Sequence, residues 1–251
     1  MAGSQRDFAG RTVVITGASR GIGRACAEAF AARGAALVLV SRGGAELESL
    51  AAQLRAQGAA VRCSACDVTD AAALQELFAG LERCDVLVNN AGGNQPQPFL
   101  DVPLATLDDL LALNVRAAFV AAQCAARCMQ RRGEGGVIVN MSSQMGHVGA
   151  ANRSVYCMSK HAIEGLTKAL AVELAPQRIR VVSVAPTYVE TPLTRPFLAD
   201  PQFLADTLRR IPLGRVGRVG EVAAAVLYLA SDAASLVTGT SLLVDGGYTA
   251  Q

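Results

Sequence analysis

The chain has no run of like charges and no low-complexity tract. Its 23 basic side chains against 21 acidic ones leave a formal net charge of +2. That balance implies neither nucleic acid nor an anionic membrane as a partner. No apolar stretch approaches the ~18 residues that cross a bilayer. The first ten residues, MAGSQRDFAG, lack the apolar h-region of a signal peptide, so a cytoplasmic location is expected. Histidine occurs only twice. His161 directly follows Lys160 on a predicted helix and faces elsewhere. His147 stands in a predicted loop, where it either lines a pocket or meets solvent.

Seven cysteines are present. The CSAC pair of Cys63 and Cys66 has no second pair at zinc-ligand spacing, so no metal is expected. A redox Cys-x-x-Cys opens a helix, whereas this one closes a predicted strand. Cys124 and Cys128, four apart on an alanine-rich helix, read as small core residues. All seven are expected to be reduced, structural thiols.

A chain of 251 residues, 51% hydrophobic, is long enough for one large core or two small domains. Short apolar runs recur at 11–16, 36–41, 60–65, 84–89, 136–141, 180–185 and 241–246. Most are apolar nearly throughout, as strands covered on both faces are. Helix-like segments lie between them at 21–33, 45–57, 70–80, 103–131, 154–175 and 218–230. The alternation predicts an α/β fold: one doubly wound, seven-stranded parallel sheet with helices on both faces. No linker interrupts it, so residues 1–251 read as a single domain. The irregular stretch 187–216 carries several prolines after the sixth strand and is expected to cover a site.

TGASRGIG at 16–23 joins the first strand to the first helix. Gly17, Gly21 and Gly23 there permit a tight turn and a close backbone approach to a pyrophosphate at the helix N-terminus. A dinucleotide-binding Rossmann fold is the expectation. The second strand ends at Ser41-Arg42 without the acid that usually holds an adenosine ribose, the next one being Glu46 in the following helix. Arg20 and Arg42 instead flank that position and suit a 2′-phosphate. NADP(H) is therefore expected over NAD(H). The alternative is two solvent-facing arginines and NAD held without its usual carboxylate.

Tyr156 and Lys160 stand four apart in RSVYCMSKHAIEGLTK. On a helix that spacing makes neighbours. A cation ~4 Å from a phenol, at an effective dielectric of ~20, is worth about 4 kcal/mol, or about three pKa units. The pair could thus bring a phenol into proton exchange near pH 7. A half-buried Tyr beside a solvated Lys is the plain alternative.

Further elements follow in order: CDVTD at 66–70, NNAG at 89–92, Asn114 in LNVR, Ser142-Ser143, YCMSK at 156–160, Pro186-Thr187 with Thr191, and VDGG at 244–247. With the glycine loop they make the chain resemble the short-chain dehydrogenase/reductase superfamily over nearly its whole length. The resemblance implies a ketone/secondary-alcohol oxidoreductase with Tyr156 as general acid or base. Lys160 would lower the Tyr156 pKa and hold the nicotinamide ribose. Ser143, thirteen residues before Tyr156, would bind the substrate oxygen. Asn114 would bend the fourth helix and anchor a water leading to Lys160. Asp67 would contact the adenine, Asn89 the adenosine ribose, and Thr191 the nicotinamide carboxamide. The implied cofactor surface also takes in Ser19, Ile22, Ser41, Val68, Ala91, Gly92, Pro186, Thr187 and Val189. Two departures from the pattern are Thr187 where Gly is common and Val182 where Asn is usual.

Pocket walls are expected at 93–97, 144–152 and 187–198, with Asn94, Gln144, Arg153 and Tyr188 as candidate substrate contacts. Their polarity favours a small sugar, polyol or hydroxy-acid-like substrate. The chain also resembles 3-oxoacyl-carrier-protein reductases. Arg131, Arg132 and Arg178 could form the basic patch those need, although Gln177 stands where an arginine often falls. A non-catalytic NADP-binding protein is a remote alternative, since it would have lost the Asn114–Ser143–Tyr156–Lys160 set. The family commonly forms tetramers through its fourth and fifth helices and last strand, which implies a homotetramer.

Overall fold

The structure, a computed structural model, describes residues 7–251. The first six residues of the MAGSQRDFAG stretch lie outside the described part. Strands and helices alternate in the first half: β1 (Thr12–Thr16), α1 (Gly21–Ala32), β2 (Ala36–Ser41), α2 (Gly44–Ala56), β3 (Val61–Ala65), α3 (Ala71–Ala79) and β4 (Val86–Asn89). Then come α4 (Leu104–Leu111), α5 (Ala117–Arg132), β5 (Gly136–Met141), α6 (Ser154–Leu174) and β6 (Ile179–Pro186). Two short helices, α7 (Arg195–Leu198) and α8 (Pro201–Arg209), precede α9 (Val219–Ala230) and β7 (Ser241–Val244).

All seven strands are parallel, in the order β3-β2-β1-β4-β5-β6-β7. The order reverses between β1 and β4, and the C-terminal ends of the strands there open the crevice where such sheets bind ligands. Each strand feeds two cores by simple alternation. Val13 and Ile15 face Phe30 of α1 and Val226 of α9, while Val14 faces Leu74 of α3 and Ala125 of α5. A strand packed on both sides has no polar face, which is why these runs read as continuously apolar.

The long helix predicted over 103–131 is divided. Residues 112–116 form a π turn between α4 and α5. Such a turn places one extra residue in the helix and redirects what it carries. Asn114 sits at its centre, 2% exposed. Residues 187–216 contain α7 and α8, and Val189 bridges to Gly217 beyond them. No helix among the described residues is long and apolar enough to cross a membrane.

Candidate active site

The turn from β1 into α1 is a matter of backbone geometry. Gly17 and Gly21 have φ of +65° and +56°, in the left-handed region that favours glycine. A Cβ at Gly23 would stand 2.2 Å from the Gly17 carbonyl oxygen, so only glycine lets α1 start so close to the loop. No side chain caps the first turn of α1, and Gly21 and Ile22 line the adjoining cleft. Uncapped helix N–H groups beside a backbone without side chains form a cradle for an anion, which fits the pyrophosphate of a dinucleotide. Asn90 fixes the cradle from below, its Nδ2 donating to the Thr16 and Gly17 carbonyls at 3.0 and 3.1 Å.

From this loop a cleft of about 510 Å³ runs across the strand ends. Ser41, Arg20 and Arg42 line one end, and Ser143, Tyr156 and Lys160 the other. Between them lie Ser19, Val68, Ala91, Gly92, Pro186, Thr187, Val189 and Thr191. Thr191 crosses the cleft: a Cβ at Gly21 would touch its side chain at 3.6 Å.

Two expected contacts lie elsewhere. Asn89 is 5% exposed and turned into the fold, its Nδ2 donating to Ala118 O at 2.8 Å and Asn140 Oδ1 at 3.2 Å. Alternate strand residues face opposite ways, so its neighbour Asn90 meets the cleft instead. Asp67 does not line the cleft either. Its carboxylate closes its own turn, accepting from the N–H and hydroxyl of Thr69 at 2.9 and 2.8 Å. Those bonds, with help from nearby Arg42, hold it below the usual carboxylate range. Conversely, Glu46 lines the arginine end, in the first turn of α2. Its place at the start of the second helix was legible in the sequence, but not that this turn brings it to the rim of the cleft.

At the other end, Lys160 is 5% exposed and its Nζ donates to the Met141 carbonyl at 2.8 Å, at the end of β5. Burial pushes its pKa down to about 8, opposed by Glu164 one turn further along α6. Glu164 is itself buried, accepting from Ser183 Oγ at 2.9 Å and Ser241 Oγ at 3.1 Å. Its position four residues after Lys160 was the available sign of this coupling. Asn114 is held by Gly93 through N–H and carbonyl at 2.9 Å each, and donates to Ser159 Oγ at 3.1 Å. A Cβ at Gly92 would lie 3.2 Å from Asn114 Oδ1 and 3.7 Å from Lys160 Nζ, so both groups flank that glycine.

The expected effect of Lys160 on Tyr156 needs correcting. The ammonium lies 5.6 Å from the ring centre and points to Met141 rather than to the hydroxyl. Burial instead dominates and pushes the phenol up to about 12, against the nearby Ser143 hydroxyl and the charge of Arg153. Ser143 Oγ donates to Gln144 Oε1 at 2.8 Å and accepts from Met145 N at 3.1 Å. Gln144 is thereby a buried support for Ser143. Thr187, standing where glycine is common, brings a buried hydroxyl with no partner to the cleft wall. Val182 packs wholly within the core.

Of the other pocket candidates, Asn94 keeps a buried Oδ1 without a partner, and Tyr188 stacks edge-on against Phe203 at 5.5 Å. His147 turns away from the cleft, to Ser241 Oγ at 3.1 Å and Glu164 at 3.3 Å. His161 pairs with the Cys157 carbonyl of its own helix at 2.9 Å. The seven cysteines are free, and burial pushes the Cys26 thiol up to about 12.

An uncapped glycine cradle at one end of a parallel-sheet crevice, with a buried amine and two hydroxyls at the other, defines a dinucleotide-dependent oxidoreductase. The chain belongs to the short-chain dehydrogenase/reductase family. A family model described as enoyl-(acyl carrier protein) reductase matches residues 17–249. L-xylulose reductase from Bos taurus is 43% identical over 97% of this chain and 98% of its own length. A short-chain type dehydrogenase/reductase from Mycobacterium marinum superposes with a TM-score of 0.92 at 40% identity, covering 99% of both chains. A gluconate 5-dehydrogenase from Burkholderia cenocepacia, solved with NADP and tartrate, superposes with a TM-score of 0.93 at 34% identity over 99% of this chain and 98% of its own.

Proposed function

We propose that the protein interconverts a ketone and a secondary alcohol on a small polyhydroxy substrate, with NADP(H) preferred over NAD(H). The observation that carries this reading is one continuous cleft, with the anion cradle at one end and Ser143, Tyr156 and Lys160 at the other. The nicotinamide, when bound, supplies or accepts the hydride. The chain supplies the proton and the place for charge to develop. Tyr156, half-buried and raised to about 12, stays protonated at neutral pH and serves as the acid in ketone reduction. Ser143 donates a second hydrogen bond to the same substrate oxygen, stabilising the growing alkoxide. For this it must release Gln144 Oε1. Lys160 holds a ribose hydroxyl and, while charged, offsets the phenolate left by Tyr156. Asn114 positions the loop at Gly93 beside it. Arg20 and Arg42 bind the 2′-phosphate.

The relatives' names support a sugar or polyol-type substrate. The carrier-protein reading gains little from the arginines that suggested it. Arg132 pairs with Glu134 at 2.8 Å, Arg178 with the Gly133 carbonyl, and Arg131 reaches Phe78 O at 3.5 Å. All three lie at the N-terminal edge of β5 and β6, opposite the cleft. Residues 187–216 cover the carbonyl end.

A homotetramer fits the exposed apolar side chains Phe119 on α5 and Val172 on α6, with a groove between the two helices floored by Ala122, Ala126 and Leu170. Mass measurement at micromolar concentration tests it. A cytoplasmic location fits seven free thiols.

The decisive experiment follows NADPH oxidation with L-xylulose and other polyhydroxy ketones. Tyr156→Phe should lower kcat by ~10³-fold or more while NADPH still binds. Unchanged turnover would remove Tyr156 from the proton transfer.

A further inference from the structure

Arg153 is the one buried arginine among the described residues, 7% exposed. It stands at the start of α6, one helical turn before Tyr156. None of the ion pairs among the described residues includes it. Its guanidinium carbon lies 5.4 Å from the centre of the Phe197 ring on α7. Its charge acts on two phenols at once. It pulls against the burial that raises Tyr156 and against the burial that raises Tyr188. A permanent cation therefore sits near both phenols, roofed by an aromatic ring, with no counter-ion among the described residues. Guanidinium does not shed its proton to escape such a place. A stacked ring offsets only part of the lost solvation. A neighbouring buried hydroxyl, Ser154 Oγ, also lacks a partner.

We infer that Arg153 anchors a carboxylate of the substrate, so that the enzyme selects short polyhydroxy keto acids and their hydroxy-acid counterparts over neutral sugars. This rests on the reaction proposed above and specifies its substrate. A planar carboxylate takes two parallel hydrogen bonds from the guanidinium and neutralises it. Arg153 stands at the N-cap of α6, near enough to Tyr156 for its charge to act on the phenol, so an acid group on Arg153 and a carbonyl on Tyr156 suit the two ends of one short keto acid. The oxygens of Asn94 and Gln97, in the loop after β4, are likewise buried without partners. Their loop is tied to the same corner by Gln97 N donating to Asn152 O at 3.0 Å.

The test compares three six-carbon ketones with NADPH: 5-keto-D-gluconate, its neutral analogue L-sorbose, and D-fructose 6-phosphate. The keto acid should have a kcat/KM about 100-fold above L-sorbose. Arg153→Gln should raise the KM of the keto acid ~30-fold or more, against a change of less than about threefold in the KM of L-sorbose. The effect of the lost charge on Tyr156 falls on kcat for both ketones alike. Should that variant fail to fold, the unaltered enzyme carries a second measurement. Tartrate should inhibit L-sorbose reduction competitively at concentrations where threitol, the same skeleton without charge, has no effect. The inference is overturned by equal use of L-sorbose and keto acid, by preference for the phosphate ester, by an equal rise in KM for both ketones in the variant, or by threitol matching tartrate. Turnover of L-sorbose without preference sinks the inference alone; turnover of none of the three sinks the proposed reaction with it.

Discussion

The two ends of the cleft are built on opposite principles. The nucleotide end is made of backbone: positive-φ glycines, uncapped amides, and Asn90 clamping the Thr16 and Gly17 carbonyls. Its shape is set by backbone geometry and two amide hydrogen bonds. The carbonyl end is made of side chains that the fold buries at a cost. Lys160 and Arg153 are buried cations, and Ser142 and Thr187 are orphaned hydroxyls on the wall. Each of those costs falls when a ligand supplies the missing partner. The difference teaches that binding strength resides at one end and reactivity at the other.

The sharpest way to break this contrast is to put a side chain into the backbone end. Gly23→Ala drives a methyl to 2.2 Å from Gly17 O. It should lower NADPH affinity by ~100-fold or more and destabilise the fold by about 1–3 kcal/mol, read by fluorescence titration and thermal melting. Wild-type affinity would show that the loop is not rigid.

The opposite result is expected at the carbonyl end. Lys160 falls to about 8 in the folded protein, against an ordinary value above 10 in the unfolded chain. Between about pH 8 and 10 the unfolded chain binds the extra proton, so stability rises with pH in that window. Below it the buried charge costs up to about 3 kcal/mol. Lys160→Met should therefore abolish turnover yet raise the melting temperature of the ligand-free protein at pH 7. A lower melting temperature would deny the strain. In the native enzyme the charged amine is the active form for reduction, so kcat/KM for the ketone should decline as pH rises through about 8. Oxidation, which needs the Tyr156 phenolate, should speed up over the same range.

The smallest effects belong to the adenosine rim, where Arg20, Arg42 and Glu46 share one exposed edge. Arg42→Ala should weaken NADPH by about 10-fold and leave NADH within about twofold, given the ~1.5 kcal/mol of a charged hydrogen bond. Glu46→Gln should tighten NADPH slightly by removing a like charge from the phosphate. Equal losses for both cofactors would deny the arginines a role in selecting NADPH.

What could be seen in the amino-acid order alone was whatever rests on local requirements. Continuous apolar strands declared a sheet covered on both faces, the glycine spacing declared the turn, and four-residue spacing put Tyr156 and Lys160 on one helix face. Those features depend on backbone periodicity and on residues near in the chain, so sequence carries them. Only the tertiary structure decided where side chains from distant elements meet. It turned Asn89 inward and Asn90 to the cleft, swung the Lys160 amine to the Met141 carbonyl, and brought Glu46 to the rim. It also enclosed Arg153 beneath Phe197 without a counter-ion. Charge, burial and hydrogen-bond partners are properties of three-dimensional neighbourhoods, and the order of residues along one helix or strand does not contain them.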